Sequence, residues 1–302
     1  MITGITGRRS TRDWKERVIE RLLLVSASIS VIVIVLIFAY LLSQGLPLFA
    51  DVSVLDFLFG TTWQPTSAVK MEFGALPLLY GTLLVAMVAM AIAVPLGIAI
   101  AVYIAEVARP VEREILKPVI ELLAGIPSVI YGLFALVTLA TWLRDLTGVG
   151  SRLNALNGGI ILAIMVIPTI VSLAEDAINS VPQDYRAASL ALGATKWETI
   201  RNVVLPSSVS GILAAVLLGL GRAMGETMAV LMATGNAAII EFNILESVRT
   251  ITATIAIETP EVALGSLHYR ALFAIAILLF AITFAFNYLS GLVMKRFRRI
   301  GR

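Results

Sequence analysis

Two charged residues interrupt an otherwise uncharged stretch: between positions 202 and 240 the sequence carries only Arg222 and Glu226. Arginine presents five N–H donors in a planar fork that fits the oxygens of a phosphate or carboxylate, and it stays charged at physiological pH. A glutamate four residues on, on the same face of a helix, can pair with it, hold it in place or compete with a passing anion. Two readings stand: a buried ion pair that lets an apolar helix insert and pack, or a guanidinium that handles an oxyanion in transit. Covalent and metal chemistry are poorly provided for. The chain has no cysteine and one histidine, His268, so it holds neither a thiolate nor a His-pair metal motif. No GxxxxGK[ST] string occurs, so if nucleotide hydrolysis drives this protein another chain performs it.

The elements that must position this pair are membrane helices. Of 302 residues 59% are hydrophobic and 14% charged, against about 25% charged in a soluble globular domain. Uncharged gaps run over 22–50, 73–105, 122–143, 153–174 and 271–294, and 202–240 is a sixth stretch with only the two charges. Each is long enough for a helix crossing about 30 Å of hydrocarbon. The predicted class is all-α, with spans near 22–42, 76–103, 122–143, 158–178, 211–235 and 269–294. Residues 1–21 form a basic N-terminal segment, and 22–302 read as one membrane domain. The first apolar run is longer than a signal-peptide core and is read as a retained helix. A short polar loop is expected over 106–121, and a kink at Pro95. Counting Lys and Arg, 17 fall on the side of the two termini and five on the other, which places both termini in the cytoplasm.

The segment between spans four and five is the richest in signals. Pro182 to Thr195, continuing through Trp197 to Leu205 and Pro206, reads as two short helices parted at Gly193, the second closed by Pro206. On composition it is either an interfacial connector lying against headgroups or a small-residue surface that a partner approaches closely. Elsewhere the signals are weaker. His268 reads as an interfacial imidazole, and Thr250, Thr252 and Thr254 as hydroxyls satisfied within a re-entrant or interfacial segment. Asn236 and Glu241 are vestibule candidates.

The spacing Ala187-Ala188-Ser189, then Gly193, then Val203 and Leu205-Pro206 resembles the EAA loop of binding-protein-dependent ABC importer permeases. Ala187 stands where that family often has Glu, and Val203 where it often has Ile. The stretches Trp63-Gln64-Pro65-Thr66, Phe73-Gly74-Ala75-Leu76-Pro77, Ile126-Pro127-Ser128-Val129-Ile130-Tyr131-Gly132 and Gly221-Arg222-Ala223-Met224-Gly225-Glu226-Thr227-Met228-Ala229 resemble the PstC-type phosphate permeases within it, from about residue 15 onward. The resemblance implies an inner-membrane transport subunit of a bacterial or archaeal cell, not itself an enzyme. Its implied partners are a homologous PstA-type permease, a cytoplasmic ATPase dimer and an extracytoplasmic phosphate-binding protein. ATP and magnesium would sit on the ATPase, with no cofactor in this chain. Lipid surrounds it, and no nucleic acid is implied. Tyr185, Arg186, Ala187, Ala188, Ser189, Gly193, Leu205 and Pro206 would couple to the ATPase, and Arg222 and Glu226 would line the substrate path. A permease for another oxyanion such as sulfate or molybdate shares the coupling loop. An ion-coupled secondary carrier is a rival from another class, but the two halves lack inverted, broken-helix symmetry. A purely structural membrane scaffold is a third reading.

Overall fold

The computed structural model of the chain describes residues 9–148 and 151–300, with side chains described except at 9–13, 15, 290 and 293–300. Arg8 and Arg302, counted above for orientation, lie outside the described residues. Among the described residues six helical stretches are long and apolar enough to cross a membrane: Glu16–Ala50, Leu76–Val107, Ser128–Thr147, Ala155–Asn179, Lys196–Gly225 and Leu267–Leu289. The six-span, all-helical reading therefore holds, with large changes at the start of the third span and at both ends of the fifth.

Helix α1 (Arg9–Gly45) is followed by a 3-10 turn, the short α2 (Val54–Phe59), and a two-stranded antiparallel ribbon, β1 (Trp63–Gln64) with β2 (Glu72–Phe73). Helix α3 (Leu76–Val102) runs through Pro95 and ends in a π turn, Tyr103–Val107. The stretch expected to be a short polar loop is instead helix α4 (Pro110–Gly125). Pro110 suits a first helical position, where no N–H is needed, and Glu112 folds back to accept the Arg109 N–H at 2.9 Å. The third span consequently begins later, after the break at Ile126 and Pro127. It consists of α5 (Ser128–Phe134), a π turn (Ala135–Leu139) and α6 (Ala140–Thr147). Helix α7 (Ala155–Asn179) is capped by Asn154, whose Oδ1 accepts the Asn157 N–H at 2.9 Å.

Then come α8 (Gln183–Ala191), α9 (Lys196–Thr199), a π turn (Ile200–Val204) and α10 (Leu205–Gly225). Helix α11 (Met228–Ala233), α12 (Ile251–Glu258) and α13 (Leu267–Ile300) complete the chain. Pro206 does not close the second of the two short helices expected there; α9, the π turn and α10 form one continuous rod. Proline inside a helix clashes with the carbonyl four residues back, and the widened π turn immediately before it makes room for the ring.

The core is built around α7. In the most apolar part of this helix 61% of the residues are buried within the chain, whereas in the most apolar part of the first span none is. The small residues of α3, Ala86, Ala89, Ala93, Gly97 and Ala101, recur every three or four positions and let α7 approach closely. A Cβ on Gly97 would lie 2.8 Å from Ile170 Cγ2, and one on Gly219 of α10 would lie 2.9 Å from Ile170 Cγ1. Ile170 is thus a knob held between glycines of two neighbouring helices. The ribbon and α2 close one end of the bundle over Leu48, Phe57, Leu78, Ile251 and Ile275.

Candidate functional site

The fifth crossing is broken. Helix α10 ends at Gly225, and Glu226 leaves it with extended dihedrals, φ −69° and ψ 134°. Arg222 and Glu226 therefore do not share a helical face, and they form no ion pair. The expected pairing required a continuous helix through both positions, and the chain turns out of α10 between them. Glu226 is instead a local organiser: its Oε1 accepts the Ala229 N–H of α11 at 3.3 Å, and its carbonyl accepts the Thr252 hydroxyl of α12 at 2.8 Å.

Arg222 stays exposed in the isolated chain. Its Nη1 lies 3.4 Å from Thr169 Oγ1, the only side-chain hydrogen bond that it makes among the described residues. Thr169 falls near the centre of the 25-residue α7, so the guanidinium sits near mid-depth of the bundle. Irregular backbone at such a depth is tolerated where it is buried in protein or lines a water-filled path, and a charge there must face one or the other. An exposed arginine with most of its donors uncommitted beside a helix break can take an oxyanion through two or more charge-assisted bonds.

Beyond the break, α11 returns the chain to the ribbon end. Asn157, fully buried near the start of α7, donates to the Ala233 carbonyl at 2.9 Å and the Ala135 carbonyl at 3.4 Å. It ties spans three, four and five together. The sequence reading missed it because an asparagine next to Gly158 and Gly159 looks like turn chemistry. The threonines behave as expected: Thr250 caps α12 through the Ala253 N–H at 3.2 Å, Thr252 bonds Glu226, and Thr254 bonds the Thr250 carbonyl at 2.8 Å. Asn236 takes a left-handed φ of 60° and donates to the Leu231 carbonyl, while its own carbonyl accepts from Arg249; the Glu241 carbonyl accepts from Tyr80.

The other predicted residues gather at the opposite end of the bundle. On α8, Tyr185, Ala187 and Ala188 face outward, as do Leu190 and, beyond the helix, Leu192 and Gly193. Gly193 has φ +89°, which ends α8 and allows the turn into α9. Thr195 and Glu198 then form a capping box, with Glu198 accepting the Thr195 N–H at 2.8 Å. Arg186 and Ser189 point inward: Arg186 Nη2 is 2.7 Å from Glu106 Oε1, and Ser189 Oγ lies 2.9 Å from Thr199 Oγ1. Leu205 packs against the buried cluster of Ala101, Ile104, Ile178 and Val204, and Pro206 is exposed at the start of α10.

Two further polar clusters escaped the sequence reading. Glu175 of α7, 2% exposed, accepts from Arg113 at 2.6 Å, Lys117 at 3.0 Å and Asn179 at 2.7 Å, fastening α4 to α7. The bond to Glu175 holds the Lys117 ammonium above its usual range, against the opposing effect of burial. Near the ribbon, Glu258 accepts from Trp63 at 3.2 Å and Arg249 at 2.7 Å, and its other oxygen lies 2.7 Å from His268 Nε2. His268, at the start of the sixth span, thus partners a carboxylate. This group borders an open cavity of about 800 Å³ between the ribbon and the start of α13. Glu175 meets Arg113 and Lys117 across 62 and 58 residues, and Glu258 meets Trp63 across 195, separations that spacing along the sequence does not register.

Known proteins resemble this arrangement along nearly its whole length. A probable ABC transporter permease protein, YqgH of Bacillus subtilis, is 35% identical over 276 residues, covering 89% of this chain and 87% of its own. A phosphate transport system permease protein, PstC of Mesorhizobium japonicum, is 38% identical over 261 residues, 80% of this chain and 78% of its own. The PstC of Xylella fastidiosa strain 9a5c is 36% identical over 317 residues, 98% of this chain and 96% of its own. Among solved structures, a chain of a bacterial alginate ABC transporter in complex with its periplasmic protein superposes with a TM-score of 0.62. That match covers 96% of this chain and 98% of the other at 17% identity, a likeness of fold. The MetNI methionine ABC transporter, in an inward-facing form, gives 0.56 over 74% of this chain and 94% of the other, at 16% identity. Residues 93–299, from the second half of α3 through α13, match the binding-protein-dependent transport system inner membrane component, and the chain belongs to that family of membrane transport subunits.

Proposed function

We propose that this chain is the PstC-type permease subunit of an ATP-driven importer for inorganic phosphate. It pairs with a homologous PstA-type permease, a cytoplasmic ATPase dimer that holds the ATP and magnesium, and an extracytoplasmic phosphate-binding protein. Both termini and α8 lie on the cytoplasmic side, the face to which the positive-inside rule assigns 17 of the 23 basic residues. The ribbon then faces the binding protein. The observation that carries the substrate reading is Arg222, an uncompensated guanidinium near mid-depth beside a broken helix, in a chain whose relatives include phosphate permeases.

Transport is by alternating access. Closure of the ATPases on ATP displaces the coupling helices, the bundle opens toward the binding protein, and the released anion passes Arg222. Glu226 braces the break rather than neutralising the arginine, so a dianion meets an unpaired cation. The chain performs no covalent step.

Radiolabelled phosphate uptake by cells carrying the whole transporter tests this directly. Arg222→Gln is expected to reach parental abundance in the membrane while losing uptake by about ten- to a hundred-fold, the loss of one or two hydrogen bonds to a charged group. Arg222→Lys, which keeps charge but not the fork, should fall between. Excess sulfate is expected to leave uptake unchanged. Equal competition by sulfate would reassign the substrate to another oxyanion. Uptake that ignores ATP depletion and collapses with the proton gradient would replace the importer by a secondary carrier.

A further inference from the structure

The guanidinium of Arg186 is the feature of the coupling segment that a docking role does not account for. A side chain meant to grip an ATPase should face outward with its neighbours Tyr185 and Ala187, yet Arg186 is 12% exposed and turned into the bundle. Among the described residues its hydrogen bonds go to Glu106, Ile178 and Val181. Nε and Nη2 both donate to Glu106 Oε1, at 3.0 and 2.7 Å. Nη2 also donates to the Ile178 carbonyl at 2.9 Å, and Nη1 donates to the Val181 carbonyl.

These acceptors belong to two different spans. Glu106, itself 11% exposed, lies in the π turn that ends span two. Ile178 is in the last turn of α7, and Val181 follows just after it; both are buried against Ala101, Ile104 and Val204. The Ser189–Thr199 contact adds a lighter tie to the foot of span five. If α8 moved alone, Glu106 would be left charged, largely shielded from water and without its partner, a state that proteins disfavour. Displacement of α8 therefore drags the ends of spans two and four with it. Span four carries Thr169, the residue beside Arg222.

We propose that Arg186 and Glu106 form the joint through which a push on α8 reaches spans two and four together, with contact to the ATPase left to the outward residues Tyr185, Leu190, Leu192 and Trp197. Arg186 is thus a positioning residue that acts inside the permease. This inference rests on the ATP-driven importer reading.

The test uses the complete transporter in proteoliposomes with the binding protein inside the assay, measuring phosphate uptake and ATP hydrolysis together. Glu106→Gln and Arg186→Gln are expected to keep the ATPase bound and hydrolysing while uptake per ATP falls about ten-fold. Glu106→Asp, which retains the carboxylate, should recover most of that ratio. If the Gln variants do not accumulate, Arg186→Lys decides, with a partial loss of uptake per ATP expected from a cation lacking the fork. An unchanged ratio in the variants that accumulate would overturn the joint, as would loss of the ATPase from the Arg186→Gln complex, which would make Arg186 a docking residue. A parental transporter that moves phosphate without hydrolysing ATP would instead remove the importer reading beneath it.

Discussion

Asn157 and Glu175 show what a single polar side chain does inside this bundle. The Asn157 amide serves two carbonyls on two other elements, so Asn157→Ala is expected to destabilise by about 1–3 kcal/mol, the range for leaving buried polar groups unsatisfied. Asn157→Asp should be worse than Ala despite its shape, because an acceptor would then face the Ala233 carbonyl. Thermal unfolding of the solubilised protein ranks the three. Glu175 is buried, but Arg113 and Lys117 are 41% and 43% exposed and can rehydrate. Glu175→Gln is therefore expected to lose about 1–2 kcal/mol, below the 3–5 of a fully buried pair. The raised Lys117 pKa has a definite sign. Its contribution is complete below the unfolded lysine value of about 10.4 and fades only as pH rises through the higher folded one, so the α4–α7 contact should not weaken between neutral pH and 9. At this scale the sequence drew attention to Arg222, since an intramembrane charge is conspicuous by composition alone. It mispaired that arginine with Glu226, because a spacing of four implies contact only while the helix continues.

Helix ends, rather than helix interiors, hold the polar contacts that fasten one element to another. Two π turns lie beside α8 and α9, one holding Glu106 and the other leading into Pro206. A third, at Ala135–Leu139, receives the Asn157 amide. π turns insert one residue into a helical turn and often accompany functional sites; no periodicity in these apolar stretches announces them. Gly193 is different, since its role as the break between α8 and α9 is legible from the sequence. A Cβ there would meet nothing within 4 Å, so Gly193→Ala strains only the left-handed backbone. The expected penalty is about 1–2 kcal/mol, confined to the α8–α9 turn and read as faster amide exchange there. Gly81 makes the contrasting case: a Cβ would lie 2.3 Å from the Arg249 carbonyl. Gly81→Ala must therefore separate α3 from the segment entering α12, and a lower melting temperature together with reduced expression is the expected outcome.

Across the whole molecule, α7 is the hub and α1 the periphery. Ile170 is fully buried between Gly97 and Gly219, whereas Ile32 is 54% exposed on a helix that meets α13 mainly near its C-terminal end. Ile170→Ala is expected to destabilise by about 2–5 kcal/mol. Ile32→Ala should stay within about 0.5 kcal/mol, as substitutions away from packed contacts usually do; comparison of the two melting temperatures checks the assignment. The number of spans, their rough limits and the unequal distribution of basic residues were determined by sequence alone, because lipid demands about 20 apolar residues per crossing and that is a property of local composition. Tertiary structure alone decided that α10 stops between Arg222 and Glu226, that the polar stretch after span two is a helix, and that Arg186 turns inward to Glu106. The physical reason is the same in each case. Where a helix ends and which way a charge points depend on partners supplied by other elements, here a carboxylate 80 residues away along the chain, and no local pattern encodes that meeting.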